Sequence, residues 1–394
     1  MPDNPILLEA FRNCNFQDAR EILKEESNIP TDLQPFERIQ LFEKLIQHQA
    51  FDIILHFTDR KLIETDLYEY ETFNNTLLHK ILLNLKDDDA SNAFLDEFLP
   101  KLENINDAVD NQTLLGYALE IGASAFMIER LISAGCDLTW VNNAEETYLH
   151  QIAANNRIAP ELSAAYLKLM INEGLDIDAW DIVKKTPLIT AISRNKTLLI
   201  DLLLENGAGC NIPDKNEETA FYHAVVHQQN LPLYQKLRET ESPDFEIANK
   251  NGETILFEFL KRLSRPTETL LDFLTQLIED GADLYAPAIF YGKEKTPADV
   301  TAEQSFAVFT TVLQSDKLDI NRVDQNGDSL LHKVCAFDIN FDNEKAKDTY
   351  RKVKLLIEKG ADVNLTNNKD ETPLLLASAD NLKSKTVELL LTNK

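Results

Sequence analysis

Apolar residues recur at helical spacing in short blocks that come in pairs along most of the chain. Residues 127–132 show one such block, in which two polar positions interrupt four apolar ones. Thr or Ser precedes the first block of most pairs, and its hydroxyl can accept from the free amides of a first helical turn. Glycine follows the second block in several pairs and can supply the left-handed conformation that ends a helix. The pattern therefore predicts helix–turn–helix units joined by short loops.

One short phrase opens these units: a hydroxyl residue, two mostly apolar positions and often His. Its clearest copies are Thr76–His79, Thr147–His150 and Ser329–His332. Weaker copies begin at Thr113, Thr186, Thr219, Thr254, Thr296 and Thr372. Proline follows the hydroxyl residue in three copies, where its missing N–H would have had no helical partner. Successive copies are 33 to 43 residues apart, which indicates one repeated structural unit.

A second phrase, usually Gly-x-Asp, closes five of the units. It begins at Gly135, Gly174, Gly207, Gly281 and Gly360. In four of these units the glycine lies 12 residues before the next Thr, and the unit of Gly281 has three more. The residues between carry turn formers, such as those at 249–252, and suit a projecting hairpin.

This order of helix, turn, helix, glycine phrase and finger resembles the ankyrin repeat, whose period is 33 residues. The resemblance rests on Thr186–Leu188, Asn206–Ala208, Gly360–Asn364 and the Thr-x-x-His phrases. It implies an all-α solenoid of about 9–11 helix–turn–helix units with short β-hairpin fingers. Residues 74–394 are predicted to form an array of about nine units. Residues 1–73 lack the Thr phrase and are predicted to form two divergent capping repeats, since a cap faces water instead of another repeat.

Three segments depart from the plain period. Residues 154–163 are predicted to lengthen one helix–helix turn, and residues 286–295 to enlarge one finger. Residues 338–349 are predicted to place a polar segment between two helices of one unit. Insertions in repeat proteins often lie on a binding face.

Charge and composition narrow the class of partner. The 394 residues include 66 acidic and 39 basic ones, for a net charge of −27. This field repels a phosphate backbone, so we expect no nucleic-acid partner, and it favours a protein with a basic patch. The apolar runs are too short to span a membrane, so no membrane insertion is expected.

Compartment and oligomeric state are expectations of the same kind. The first residues carry no secretory signal, although secretion into a host cell by another route stays open. Four widely spaced cysteines without a CxxC pair favour a reducing, cytoplasmic compartment. We expect a monomer.

The histidines are the first candidates for chemistry. The resemblance implies that His79, His150 and His332 are structural and tie their own hydroxyl residue to neighbouring backbone. His223 and His227 lie four apart on a predicted helix and could ligate a metal. The sequence shows no identifiable third ligand, so we interpret this pair as structural or surface histidines.

Enzyme motifs offer no further candidate. The chain has no phosphate loop, nucleophile elbow, kinase catalytic loop or complete EF-hand loop. We therefore expect no catalytic residues, metal or cofactor.

The concave face and the fingers are the predicted site of partner binding, because ankyrin proteins usually make their contacts on the fingers and on the exposed face of the first helix. The predicted contact residues are Trp180, Ile182, Val183, Lys184, Lys215, Asn216, Ile289, Phe290 and Tyr291. Trp180 belongs to a residue type that is enriched at interface hot spots. The alternative is that the apolar groups pack on neighbouring fingers or on the inner helices.

Asn321 and Asn364 are candidates for modification. Each ends an acidic–apolar–Asn phrase with Leu eight residues upstream, which looks like the ankyrin site that a eukaryotic asparaginyl hydroxylase modifies. The alternative is a finger asparagine that satisfies turn backbone.

Two functional hypotheses follow. The first is a protein-binding scaffold or inhibitor, and the composition loosely resembles ankyrin effectors of intracellular bacteria, which act on host proteins. The alternative is a host-modifying enzyme with a cryptic site in residues 1–73 or in the insertions.

Overall fold

The computed structural model describes residues 5–25 and 35–393. Residues 1–4, which bear on the secretory-signal expectation, lie outside the described residues. Within the described part, twenty-two α-helical segments form eleven consecutive helix–turn–helix pairs. No helix among them is both long and apolar enough to cross a membrane.

The chain divides into two compact units, of which the first ends at Ala208 and the second begins at Gly209. The first unit contains six helix pairs. Its helices are α1 (Pro5–Arg12), α2 (Phe16–Leu23), α3 (Pro35–Gln47), α4 (Phe51–Asp59), α5 (Leu77–Asn84), α6 (Asp89–Phe98), α7 (Leu114–Ile121), α8 (Ala125–Ser133), α9 (Tyr148–Ala154), α10 (Pro160–Asn172), α11 (Pro187–Ser193) and α12 (Thr197–Glu205).

The second unit contains five helix pairs. Its helices are α13 (Ala220–Tyr222, continued by a π-helical turn, His223–His227), α14 (Leu231–Thr240), α15 (Ile255–Arg262), α16 (Glu268–Glu279), α17 (Pro297–Glu303), α18 (Phe306–Gln314), α19 (Leu330–Ala336), α20 (Asn343–Glu358), α21 (Pro373–Ser378) and α22 (Ser384–Thr392).

The repeated phrases act where the sequence predicted. The hydroxyl of Thr113 accepts from the amide of Gly116 at 3.1 Å, which caps α7. Equivalent caps start α5, α11, α13, α15, α17, α19 and α21. Gly135 and Gly360 have φ of 95° and 89°, and no atom beyond their chain neighbours lies within 4 Å of where a side chain would begin. Backbone conformation, not space, therefore selects glycine there.

Within each unit, the core lies between successive helix pairs. Tyr148, Leu149 and Ile152 on α9 are buried, and α9 packs against both α7 and α11. The Tyr148 hydroxyl lies 2.7 Å from the Thr113 hydroxyl of the preceding pair. Because each pair buries its apolar face on its neighbours, stability is close to a sum of intrinsic and nearest-neighbour terms.

The fingers are short turns, and one forms a β-hairpin. Strands β1 (Ala288–Phe290) and β2 (Lys293–Lys295) pair antiparallel, with Ile289 opposite Glu294. This pair is the one named sheet in the described residues, while other fingers hold single bridges such as Val109 to Gln112. The structure confirms the predicted fold class. The division at residue 73 into caps and array stays a prediction.

Two insertions differ from their predictions. Residues 155–159 do lengthen the α9–α10 turn, but residues 160–163 belong to α10, while residues 286–295 do form the enlarged finger. Residues 338–349 were expected to be a polar segment between helices, but residues 343–349 belong to α20. Asp342 causes the early start, because its carboxylate accepts from the amides of Glu344 and Lys345.

Candidate functional site

The finger that carries Trp180 has a fixed backbone. Asp181 is buried, and its Oδ1 accepts from the amides of Val183 at 2.9 Å and Lys185 at 2.8 Å. Lys184 occupies the left-handed region, with φ of 56°, and completes the turn. The buried aspartate therefore fixes the backbone of the fingertip, and this backbone fixes the directions of the side chains at the tip.

Two further hydrogen bonds join this finger to the repeat before it. The amide of Ile182 donates to the carbonyl of Ala144, on the preceding finger, at 2.8 Å. The Nε2 atom of His150 donates to the carbonyl of Lys185 at 2.8 Å. Two adjacent fingers of the first unit thus form one connected surface.

The apolar side chains of this surface face solvent. Trp180 is 52% exposed, Ile182 53% and Val183 38%, and the Lys184 ammonium lies 5.2 Å from the centre of the Trp180 ring. Sequence reasoning missed Val141, which is 42% exposed on the preceding finger. Val141 lies six residues before its Thr, as Trp180 does, so the repeat register could have found it. We call Val141, Trp180, Ile182, Val183 and Lys184 the Trp180 surface.

Lys215 and Asn216 lie on a finger of the second unit. Both are exposed at a turn that buried Asp214 holds, since its Oδ1 accepts from the amides of Asn216 and Glu218 at 2.7 and 3.1 Å. The carbonyl of Asn216 accepts from the amide of Lys250 on the next finger. This tip is polar, and hydrogen bonds hold its backbone.

The enlarged finger divides its apolar residues between solvent and core. Ile289 is 62% exposed and Tyr291 90%, whereas Phe290 is half-buried. The Phe290 ring lies 6.1 Å from that of Phe257 on α15, and the Lys261 ammonium lies 4.5 Å from its centre. Packing on the inner helix, the alternative in the sequence analysis, thus describes Phe290 but not its two neighbours.

A group of buried charged side chains lies beside Phe290 of this finger. The Lys261 ammonium donates to Glu253 at 2.7 Å and to Glu258 at 2.8 Å, and both carboxylates are buried. Burial and the Glu258 carboxylate raise the pKa of Glu253. Burial acts the same way on Glu258, but hydrogen bonds from Glu253, Lys261 and Arg262 outweigh it and lower the pKa of Glu258. We call Glu253, Glu258 and Lys261 the Lys261 cluster.

A groove of about 450 Å³ lies between the fingers and the inner helices of the first unit. Amide and charged side chains dominate its lining, which includes Asn111, Gln112, Glu120, Asn142, Glu146, Gln151, Asn155 and Arg157. Glu120 orders one side, because it accepts from Gln112 and from Arg157, each at 2.7 Å. The groove therefore offers hydrogen-bonding groups in fixed positions.

Two phrase histidines have the predicted structural role. The Nδ1 atom of His150 lies 2.9 Å from the Thr147 hydroxyl, and His332 bridges Ser329 and the carbonyl of Glu371 in the same way. His79 differs, because its Nδ1 lies 2.6 Å from the hydroxyl of Tyr117.

His223 and His227 have an acidic neighbour that sequence reasoning did not find. The Nε2 atom of His227 lies 2.8 Å from Glu218 Oε2, and that of His223 lies 3.9 Å from the same oxygen. Glu218 immediately precedes the capping Thr219, so its place in the sequence is on a finger and outside the helix of the histidines.

The two candidate asparagines lie in different surroundings. Asn321 donates its side-chain amide to the carbonyl of Gly360 at 3.0 Å and accepts from the amide of Asp362 at 2.9 Å. Asn364 is exposed, and its backbone amide donates to Asp362. Asn321 thus ties one repeat to the next, as the alternative interpretation required of a finger asparagine.

Part of the chain is similar in sequence to known proteins. No family model matches it. The B-cell lymphoma 3 protein homolog of Mus musculus is 26% identical over 243 residues, which cover 61% of this chain and 49% of that protein. E3 ubiquitin-protein ligase KEG of Arabidopsis thaliana is 26% identical over 203 residues, 48% of this chain and 12% of the ligase. Each match thus spans less than half of the relative's length.

Among solved structures, the ankyrin repeat domain of Bcl-3, described as a unique member of the IkappaB protein family, is 24% identical with a TM-score of 0.49, and the match covers 63% of this chain and 98% of that one. Thr or Ser caps open the first helices from α5 to α21, and a glycine with positive φ follows five of the second helices. The chain thus has an ankyrin-repeat fold.

Proposed function

We propose that the chain binds a partner protein through the Trp180 surface. The observation that carries the proposal is a tryptophan that is more than half exposed beside exposed Ile182 and Val183. Contiguous exposed apolar groups mark interaction sites, and tryptophan is enriched among the residues that dominate binding energy. The buried Asp181 turn fixes these groups beforehand, which lowers the entropy lost on binding.

The polar groove supports an extended contact. Its amide side chains can pair with main-chain groups of a partner segment, and the Glu120–Arg157 ion pair already fixes one side. In this proposal the Trp180 surface supplies most of the affinity, and the groove supplies orientation.

Charge supports a partner with a basic patch. The net charge of −27 would speed encounter with such a partner and would make the association rate fall with added salt. The chain acts in this proposal as a monomeric scaffold or inhibitor, and its composition supports an effector acting on host proteins. The proposal assigns binding, and no reaction, to the chain.

Affinity purification followed by mass spectrometry tests the proposal. The wild-type chain should recover one dominant partner, and Trp180→Ala combined with Ile182→Asp should lose it. Removal of one hot-spot side chain costs about 2 kcal/mol or more, roughly 30-fold in affinity. Leu198→Asp is the matched control, because Leu198 is 42% exposed on α12 of the same unit. It should retain the partner.

Two results would count against the proposal. If the double variant is folded by circular dichroism and still retains the partner, the contact lies elsewhere. If the chain turns over the recovered partner without the Trp180 surface, catalysis is favoured over binding.

A further inference from the structure

Three potential ligand groups come together beside the π-helical turn of the second unit. We propose that Glu218, His223 and His227 bind a divalent transition-metal ion of the zinc type. Imidazole nitrogen and carboxylate oxygen are common zinc ligands, and three protein ligands leave a fourth position for water. The proposal is independent of the Trp180 surface.

The distances fit such an ion with small adjustments. Zn–N and Zn–O bonds of about 2.0–2.2 Å place tetrahedral ligand atoms about 3.3–3.6 Å apart. Glu218 Oε2 lies 2.8 Å from His227 Nε2 and 3.9 Å from His223 Nε2, which brackets that spacing. All three ligand atoms lie within 4.8 Å of one another. In this proposal, side-chain rotations bring the three atoms to the spacing of a bound ion.

His223 supplies an independent reason to expect a ligand. Its Nε2 atom is buried and has no hydrogen-bond partner, and its side chain is only 10% exposed. A buried polar atom without a partner costs about 1–3 kcal/mol. The nearest acidic groups, on Asp214 and Glu218, lie 3.7 and 3.9 Å away, beyond hydrogen-bond range. A metal ion between these groups would satisfy the nitrogen.

The local backbone supports the same conclusion. His223–His227 form a π-helical turn, in which the amide of Gln228 donates to the carbonyl of His223 at 3.0 Å. Single π turns inside helices frequently occur at functional sites. The two imidazole rings are 4.9 Å apart between centres, so both face the Glu218 side of the helix.

Asp214 is placed to position the ligands. It is buried, and its Oδ1 holds the backbone amide of Glu218, while its Oδ2 faces His223 at 3.7 Å. Its hold on the Glu218 backbone orients that ligand, and outer residues that orient ligands typically contribute 10- to 100-fold in metal affinity. Its Oδ2 faces the His223 nitrogen proposed to bind the ion, so its negative charge also favours a bound cation. The His227 side chain is 37% exposed and gives an ion access from solvent.

Titration calorimetry of the metal-free full chain with ZnCl₂ tests the proposal. We expect one site in the wild type and loss of about 100-fold or more in affinity for His227→Ala and for Glu218→Gln. Asp214→Asn should weaken binding by about 10- to 100-fold. His48→Ala is the matched control, because His48 is an exposed histidine of the first unit, and it should bind as the wild type does.

A thermal unfolding series with the same proteins separates a specific site from general effects. Saturating Zn²⁺ should raise the unfolding midpoint of the second unit in the wild type and the control but not in His227→Ala. Equal zinc affinity in the wild type, His227→Ala and Glu218→Gln would overturn the proposal, as would a wild type that binds no more tightly than Glu218→Gln. Either result would leave Glu218 and His227 as an ordinary hydrogen-bonded pair.

Discussion

Replacing Lys261 with Met should destabilise the α15–α16 repeat strongly and in a pH-dependent way. The Lys261 ammonium is the centre of the Lys261 cluster and also lies over the Phe290 ring. Glu253 is 4% exposed and Glu258 7%, so neither carboxylate can turn to bulk solvent in the native repeat. The substitution keeps most of the aliphatic stem and removes the charge.

The expected loss is about 3–5 kcal/mol at pH 8, because one partner of a buried ion pair is removed and the other charges stay buried. Arg262, which donates to Glu258 at 3.3 Å, keeps the loss near the lower end. Without the ammonium, the pKa of Glu253, already raised by burial and Glu258, should rise further. A folded-state pKa above the unfolded one gives stability that is present at low pH and lost as pH rises. The deficit should therefore be smaller at pH 5 than at pH 8.

Urea denaturation followed by far-ultraviolet circular dichroism at both pH values measures this effect. Adding Glu253→Gln to the variant should recover part of the loss, and the double-mutant cycle gives the coupling. Lys354→Met is the control, because Lys354 and its partner Glu358 are both more than half exposed and such a pair contributes about 0–1 kcal/mol. A Lys261→Met deficit below about 1 kcal/mol, or one that is equal at the two pH values, would refute the reasoning.

Three further predictions concern individual residues. Tyr291 has φ of 49° in the hairpin turn, so Tyr291→Asn should stabilise the chain by up to about 1 kcal/mol in urea denaturation, and a loss of stability would contradict this. Burial lowers the pKa of Lys352 to about 8, below its unfolded value of about 10.4. Between these pH values the unfolded chain binds the extra proton, so the contribution of Lys352 to the free energy of unfolding should rise with pH, by up to about 3 kcal/mol. Denaturation of wild type and Lys352→Met across that range measures the difference, and a falling difference would refute it. Incubation with an asparaginyl hydroxylase should add oxygen at exposed Asn364 before Asn321, since Asn321 is held at both ends; peptide mass analysis showing the reverse order would contradict this.

The repeat architecture could be predicted because its signals are local. A Thr cap acts on an amide three residues away, as in Thr113 to Gly116, and a helix-ending glycine acts on its own φ. Each signal therefore has a fixed spacing in the sequence, and repetition in register made the assignment specific. The exposed fingertip of Trp180 followed from the same register.

In the enlarged finger, the sequence contained more information than the prediction used. Ile289, Phe290 and Tyr291 were treated as one apolar group, yet successive residues of a strand point to opposite faces. With Phe290 turned toward Phe257, Ile289 on the same strand must face away from the inner helix, and Tyr291 lies in the turn that follows the strand. The alternation was readable, but the face that meets the core was not, because Phe257 belongs to the preceding helix pair.

Buried lysines show a different limit. Lys352 and Lys383 are each 3% exposed, and each donates to a main-chain carbonyl at the end of the first helix of the preceding pair. Lys352 donates to Ala302 of α17, and Lys383 donates to Cys335 of α19. Lys196 donates in the same way to Asn155. A cation at a helix C-terminus is favourable. The acceptor carbonyls, however, lie 41 to 50 residues before their lysines in the sequence. Composition and helical periodicity therefore predict that these lysines lie on the surface.

Aligning the chain on itself would have recovered part of this pattern. Lys196 precedes Asn206 by ten residues and Lys383 precedes Asn393 by ten, so the two lysines share one repeat position, just before α12 and α22. Lys352 breaks the rule because it lies inside α20, which Asp342 starts early. Its ammonium nevertheless reaches the same kind of carbonyl. The hydrogen bond from a lysine to the end of a helix in the preceding repeat thus depends on the interface between repeats. The lysine's repeat position predicts this bond only where no insertion changes the start of the second helix.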